Sequence, residues 1–275
     1  MLDTRKLLQA TVLYADIFDW PLTQEELRLW CIGVQPKVLP RMKKPSLSRR
    51  TRERWAKKKW EKARRSARFL RFIPSILLVG VTGGLSRNNV KKTDDIDFFC
   101  ITSSGTLWIS RLLAIVVIEL LGTRRRPGET KVADKICLNM FMSEDSLQVT
   151  KLDRDLFSAY EVLQMTPLWE RRSAYTRFLE TNQWVKKFLP NAWEWRTKNK
   201  QLSAGRQNRN SLLLFLEPFA RTLQHWYMKN RRTSEVIEAG VLRFHPRDAR
   251  VWIKQAFKKR LSRYNLPLDK IFYGG

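Results

Sequence analysis

Between residues 5 and 33 apolar positions recur at helical spacing, first as Leu7, Leu8, Val12 and Leu13 and then as Leu27, Trp30 and Cys31, which predicts two short helices. Asp19-Trp20-Pro21-Leu22-Thr23 separates them, and Thr23 followed by Glu26 has the spacing of a capping box that opens the second helix. Pro36, Pro40 and Pro45, just after Gly33, then read as a linker or an irregular wing. From Arg49 to Arg71 the chain is dense in Lys and Arg against Glu53 and Glu61 alone. Trp60, Ala63, Ala67 and Leu70 fall at helical spacing within it, so this stretch predicts a long helix with a narrow apolar stripe and a cationic outer face.

Pro74 stops that helix, and Ile76-Leu77-Leu78-Val79 predicts a buried strand. A loop from Gly80 to Asp94 leads to a second strand at Asp95–Thr102. Gly105 opens a helix to about Leu121, and Gly122 to Lys131 is a basic loop holding Arg124-Arg125-Arg126. Ile136 to Met142 predicts a third strand. The order strand, loop, strand, helix, strand is a small α/β core. Beyond residue 150 the pattern reads as helical, near 153 to 165, 168 to 181, 210 to 229, 233 to 239 and 247 to 264, with a flexible crossing at Asn199–Asn210. The expected class is α+β in three stretches: 1–45 helical or winged-helix-like, 46–150 the basic helix plus the core, and 151–275 an α-helical domain.

Composition adds the sign of the field. With 53 Lys plus Arg against 26 Asp plus Glu, the formal charge of the 275-residue chain is +27. Such a field attracts polyanions, so nucleic acid or another anionic partner is expected at the basic surface. Solubility alone would also account for it. Cys31, Cys100 and Cys137 are far apart in apolar runs and read as buried free thiols; with no signal-like leader, the expected location is the cytoplasm. The longest apolar stretch, Leu112–Leu121, contains Glu119 and is too short to span a bilayer, so no transmembrane segment is expected.

The chemistry concentrates at Asp95-Ile96-Asp97. In a strand the two aspartates share a face while Ile96 and Phe98 point the other way. Carboxylates this close repel, a cost that a cation between them removes. A surface strand paired with Lys91 and Lys92 is the plainer alternative. Gly83-Gly84 stands twelve residues before Asp95, and backbone freed by glycines can cradle phosphates.

The run Val79-Gly80-Val81-Thr82-Gly83-Gly84-Leu85-Ser86-Arg87, with Asp95-Ile96-Asp97-Phe98-Phe99 after it, resembles the signature of the DNA polymerase beta superfamily of nucleotidyltransferases. Many relatives have Gly-Ser-Leu-Ala-Arg-Gly where this chain has Gly83-Gly84-Leu85-Ser86-Arg87-Asn88. The resemblance implies a polymerase-beta-like core over about 70–150, less than a third of the chain. It implies an NTP substrate, Mg²⁺ or Mn²⁺ as cofactor, and transfer of a nucleoside monophosphate to a hydroxyl of RNA, protein or a small molecule. Asp95 and Asp97 would be metal ligands and catalytic. Gly83, Gly84, Ser86, Arg87 and Lys131 would hold the nucleotide, with Arg124 to Arg126 as further cations.

Active relatives place a third acid on a later strand as ligand and general base. The strand at Ile136–Met142 carries none. Asp134 just before it ranks first, ahead of Glu144 and Asp145 just after, while Asn139 can coordinate but not accept a proton. A degenerate core that only binds nucleic acid or a partner is the rival expectation, and a membrane-bound helix at 49–71 a weaker one. His225 and His245 are too few for a zinc site with these cysteines, Asp248 reads as a cap for the last helix, and no Walker-type loop or Ser/His/Asp pattern occurs.

Overall fold

The computed structural model describes residues 2–42, 47–198, 211–229, 236–238, 240–243 and 249–274. The expectations at Pro45, Asn199–Asn210, His245 and Asp248 lie outside them. The elements in chain order are α1 (Thr4–Asp16), α2 (Gln24–Leu29), α3 (Leu47–Leu70), β1 (Ile76–Val81), α4 (Gly83–Ser86), β2 (Ile96–Thr102), α5 (Leu107–Leu120) and β3 (Ile136–Ser143). There follow α6 (Leu156–Gln164), β4 (Thr166–Glu170), α7 (Ala174–Thr181), α8 (Pro190–Lys198), α9 (Ser211–Met228), β5 (Val236–Glu238), β6 (Val241–Arg243), α10 (Ala249–Ser262) and α11 (Leu268–Phe272).

One mixed sheet in the order β4-β1-β2-β3-β6-β5 organises the chain. β1 and β2 are antiparallel across the glycine turn, and β2 and β3 are parallel because α5 carries the chain back. Both faces are covered, so β1 is buried at every position. Ala63, Ala67 and Leu70 of α3, Ile109 and Ile118 of α5 and Ala220 of α9 pack with Val79, Phe98 and Phe141 on one face. Tyr14 of α1, Leu163 of α6, Phe178 of α7 and Phe257 of α10 pack with Phe99, Ile101 and Met142 on the other.

The β-loop-β-α-β order matches the reading of the sequence, and the class is α+β. Thr23 and Glu26 form the reciprocal capping box on α2. Past residue 150 the helical reading is corrected. Residues 168–170, read as the start of a helix, belong instead to β4 against β1, and 236–238, read as helical, form β5 paired with β6. The C-terminal half thus donates three strands to the sheet. Each is short, and a strand of three to five residues leaves no alternation long enough to tell from a helical turn.

The N-terminal stretch has two helices and, among its described residues, no strand that would make a wing. Tyr14 instead stacks on Tyr160 at 4.5 Å and meets Phe257 edge-on at 5.2 Å, so residues from all three stretches share one core. Buried Arg49 at the start of α3 grips both carboxylate oxygens of Glu26 at 2.7 Å and lies 4.1 Å over Trp20. No helix among the described residues is long and apolar enough to cross a membrane.

Candidate metal and nucleotide site

Asp97 is the one position of β2 that is not fully buried. Its neighbours Ile96 and Phe98 enter the core of α3, α5 and α9, so alternation turns Asp97 to the opposite face, the side of α6. Asp95 shares that face. The parallel register pairs Asp97 with Cys137 of β3, and ligand atoms of Asp95, Asp97 and Cys137 all lie within 4.8 Å of one another. The third place beside the aspartates belongs to a thiol. One residue on, the β2–β3 register slips so that Asn139 is the extra residue of a bulge, which re-aims the strand beside the site.

Gly83 completes the geometry. Its φ of +67° is left-handed, and a Cβ there would stand 2.7 Å from Asp97 Oδ2. Only glycine lets the turn adopt this conformation and close against the carboxylate. Gly84 is equally confined, its missing Cβ facing the Asn89 carbonyl at 2.7 Å. Thr82 N–H donates to the Asp97 carbonyl at 3.0 Å, fixing the turn to β2. Gly83→Ala is therefore expected to cost about 1–3 kcal/mol in left-handed strain and displaced contacts. A chemical melt would measure the loss, and Mn²⁺ titration would show weakened binding as Asp97 is pushed aside.

Burial, then the charge of Asp95, pushes the Asp97 carboxyl up to about 8, while Arg125 opposes the rise. Arg125 Nη1 donates to Asp95 Oδ2 at 2.5 Å and approaches Cys137 Sγ at 3.8 Å. Burial also raises the Cys137 thiol well above its ordinary value, with Asp97 and Asp95 adding to the effect, so it stands neutral. The cluster holds two carboxylates, one guanidinium and one thiol. Two oxygen donors fit Mg²⁺ or Mn²⁺, and the sulfur suits Mn²⁺ better than Mg²⁺.

The other residues read from the sequence distribute as follows. Asp134, ranked first as third acid, is not among the cluster of possible ligands. Its oxygens accept from Lys59 at 2.6 Å and Lys62 at 2.9 Å, and although burial works the other way these bonds hold its carboxyl below the usual range. Glu144 pairs with Arg172 and Arg177, and Asp145 accepts from Ser104. Asp94 accepts from the Lys91 amide at 2.8 Å and closes the loop. Asp95 pairs with Arg125, not with Lys91 or Lys92.

Ser86 Oγ donates to the Gly83 carbonyl at 2.8 Å and fastens the turn from within. Lys131 is exposed and forms no ion pair among the described residues. Arg124 and Arg126 both pair with Glu119, leaving Arg125 alone of that cluster at the site. Arg87 lies 4.2 Å over the Phe18 ring, its Nε buried without an acceptor among the described residues. It lines a pocket of about 230 Å³ with Tyr14, Phe18, Trp30, Tyr160 and Gln164, between the N-terminal helices and the glycine turn.

Reading the sequence missed Glu161. Burial raises its carboxyl, opposed by Arg87 and then Arg243, and its charge reaches Asp97. The only trace in the sequence is an acid inside the apolar run Leu156–Gln164. No protein-family model, curated protein or solved structure matches this chain.

Proposed function

We propose that the chain is a divalent-metal-dependent nucleotidyltransferase that moves a nucleoside monophosphate from an NTP to a hydroxyl acceptor. The observation that carries this reading is the left-handed Gly83 closing directly on Asp97, with Asp95 beside it. A divalent ion held by Asp95 and Asp97 would screen the phosphates and favour the ionised acceptor oxygen. The amides of the turn at Gly83 and Gly84 bind phosphate oxygens, and Arg125 adds a fixed positive charge. The acceptor oxygen forms a bond to the α-phosphorus, the bond to pyrophosphate breaks in line, and the acceptor's proton passes to Asp97. The aromatic pocket beside Arg87 takes the organic part of a substrate. The exposed cations of α3 favour a polyanionic acceptor such as RNA.

Cys137 beside the aspartates favours a second reading, a core without turnover that binds nucleic acid or a partner. One experiment separates them. Each labelled NTP, with Mg²⁺ or Mn²⁺ and cellular RNA or protein, is expected to give label transfer that Asp95→Ala and Asp97→Ala each reduce about a hundredfold or more. Nucleic-acid binding that survives both substitutions, with no transfer to any acceptor, would leave the binding reading standing.

A further inference from the structure

Helix α9 is docked firmly by its inner face. Both Glu217 carboxylate oxygens accept from the first amides of α5, Trp108 N–H at 2.9 Å and Ile109 N–H at 2.8 Å. Gln224 donates to the Trp108 carbonyl at 2.8 Å, and Leu213, Ala220 and Met228 are buried. Its outer face is apolar all the same. Leu212, Phe215, Phe219, Leu223 and Trp226 follow one another at steps of three and four residues and so form one stripe. Every one of them is at least half exposed, from Leu223 at 50% to Trp226 at 74%.

We propose that this stripe is a docking surface for an anionic lipid bilayer, on which α9 lies in the plane of the headgroups. A monomer leaves so continuous a row of large apolar side chains in water only where something covers it, and the charges around it select the partner. The one acid of α9, Glu217, is turned inward onto α5. Exposed Lys229 borders the stripe, and Arg126 lies within electrostatic reach of Tyr227. Apolar rings with a tryptophan, edged by cations, is the pattern of a helix held at an anionic interface. A second copy of the chain is disfavoured by the same charge, since two chains at +27 repel.

The test uses the full chain with vesicles of phosphatidylcholine alone or mixed with phosphatidylglycerol. Flotation with the mixed vesicles is expected, weakened by salt and much lower with phosphatidylcholine alone. Phe215→Ser combined with Phe219→Ser is expected to lower binding about tenfold or more. The melting temperature should stay close to the parent's, because both rings point outward. Trp226→Ser provides a second, single-site variant. Equal flotation of the variants, or none with either vesicle, overturns the proposal. So does a parent chain that sediments as a dimer and becomes a monomer in the double variant, since a second copy would then be the cover.

Discussion

In metal-free buffer at pH 8, Asp97→Asn is expected to unfold at a higher temperature than the parent chain, and the difference to vanish as the pH approaches 4. Burial and the Asp95 charge raise the Asp97 carboxyl in the folded state from its model-compound value of 3.8 to about 8. Below both values the group is protonated in the folded and unfolded chain, and its contribution to stability is fully present. Between them the folded chain keeps a proton that the unfolded chain has released, so stability falls as pH rises, until it levels above the folded value. Asparagine keeps the shape and removes this loss. The gain at pH 8 is on the order of 3 kcal/mol, because each unit is worth about 1.4 kcal/mol and the repulsion belongs jointly to Asp95 and Asp97.

Added Mn²⁺ is expected to reverse the order. The ion supplies the charge that the paired carboxylates lack, so the parent chain gains stability with metal at pH 8 and Asp97→Asn does not. Melting curves across pH, with and without Mn²⁺, measure both effects. A parent chain whose metal-free stability is flat between pH 4 and 8 would sink the assignment of Asp97 as the strained carboxylate.

The second large effect lies outside the cluster. Asp134→Ala is expected to destabilise the fold by about 3–5 kcal/mol, because Lys59 is only 1% exposed and loses the one carboxylate that pairs with it among the described residues. The carbonyls of Asp94, at 2.5 Å, and Lys92, at 3.3 Å, would be its remaining acceptors. For a chain of this length that loss lowers the melting temperature on the order of 10 °C. Lys59→Met should cost less, since Lys62 still pairs with Asp134 and the methionine fills the same space.

On the proposed reading, Mn²⁺ binding is expected to survive Asp134→Ala, since Asp134 stands outside the Asp95, Asp97 and Cys137 cluster that could hold an ion. The opposite outcome, an unchanged melting temperature with metal binding or transfer lost, would restore Asp134 as the third acid. Acid titration gives a further check. The depressed carboxyl contributes stability above its unfolded value and loses it as pH falls through the folded one, so the gap between parent and Asp134→Ala should close at low pH.

Local chemistry made part of this protein legible in one dimension. Asp95 and Asp97 share a face because alternation in a strand is a property of the backbone. Gly83 and Gly84 mark a turn because only glycine enters its conformation freely, and Thr23 with Glu26 close a cap four residues long. The strand at 76–79, the strand at 95–102 and the helix from Gly105 to about Leu121 follow from largely apolar runs bounded by turn residues. None of these needs a distant partner.

What stands beside the aspartates was decided by tertiary structure. The parallel register of β2 and β3 set Cys137 opposite Asp97, and no spacing along the chain encodes that pairing. Asp134, the acid just before β3, is held by two lysines of α3, while Arg125 and Glu161 reached the site from a loop and a helix that carry no motif. The short strands β4, β5 and β6 owe their conformation to the neighbours that complete their hydrogen bonds, so their own residues left no readable period. Sequence determined where the close pair of carboxylates lies; only packing between distant segments decided which charges and which thiol stand beside it.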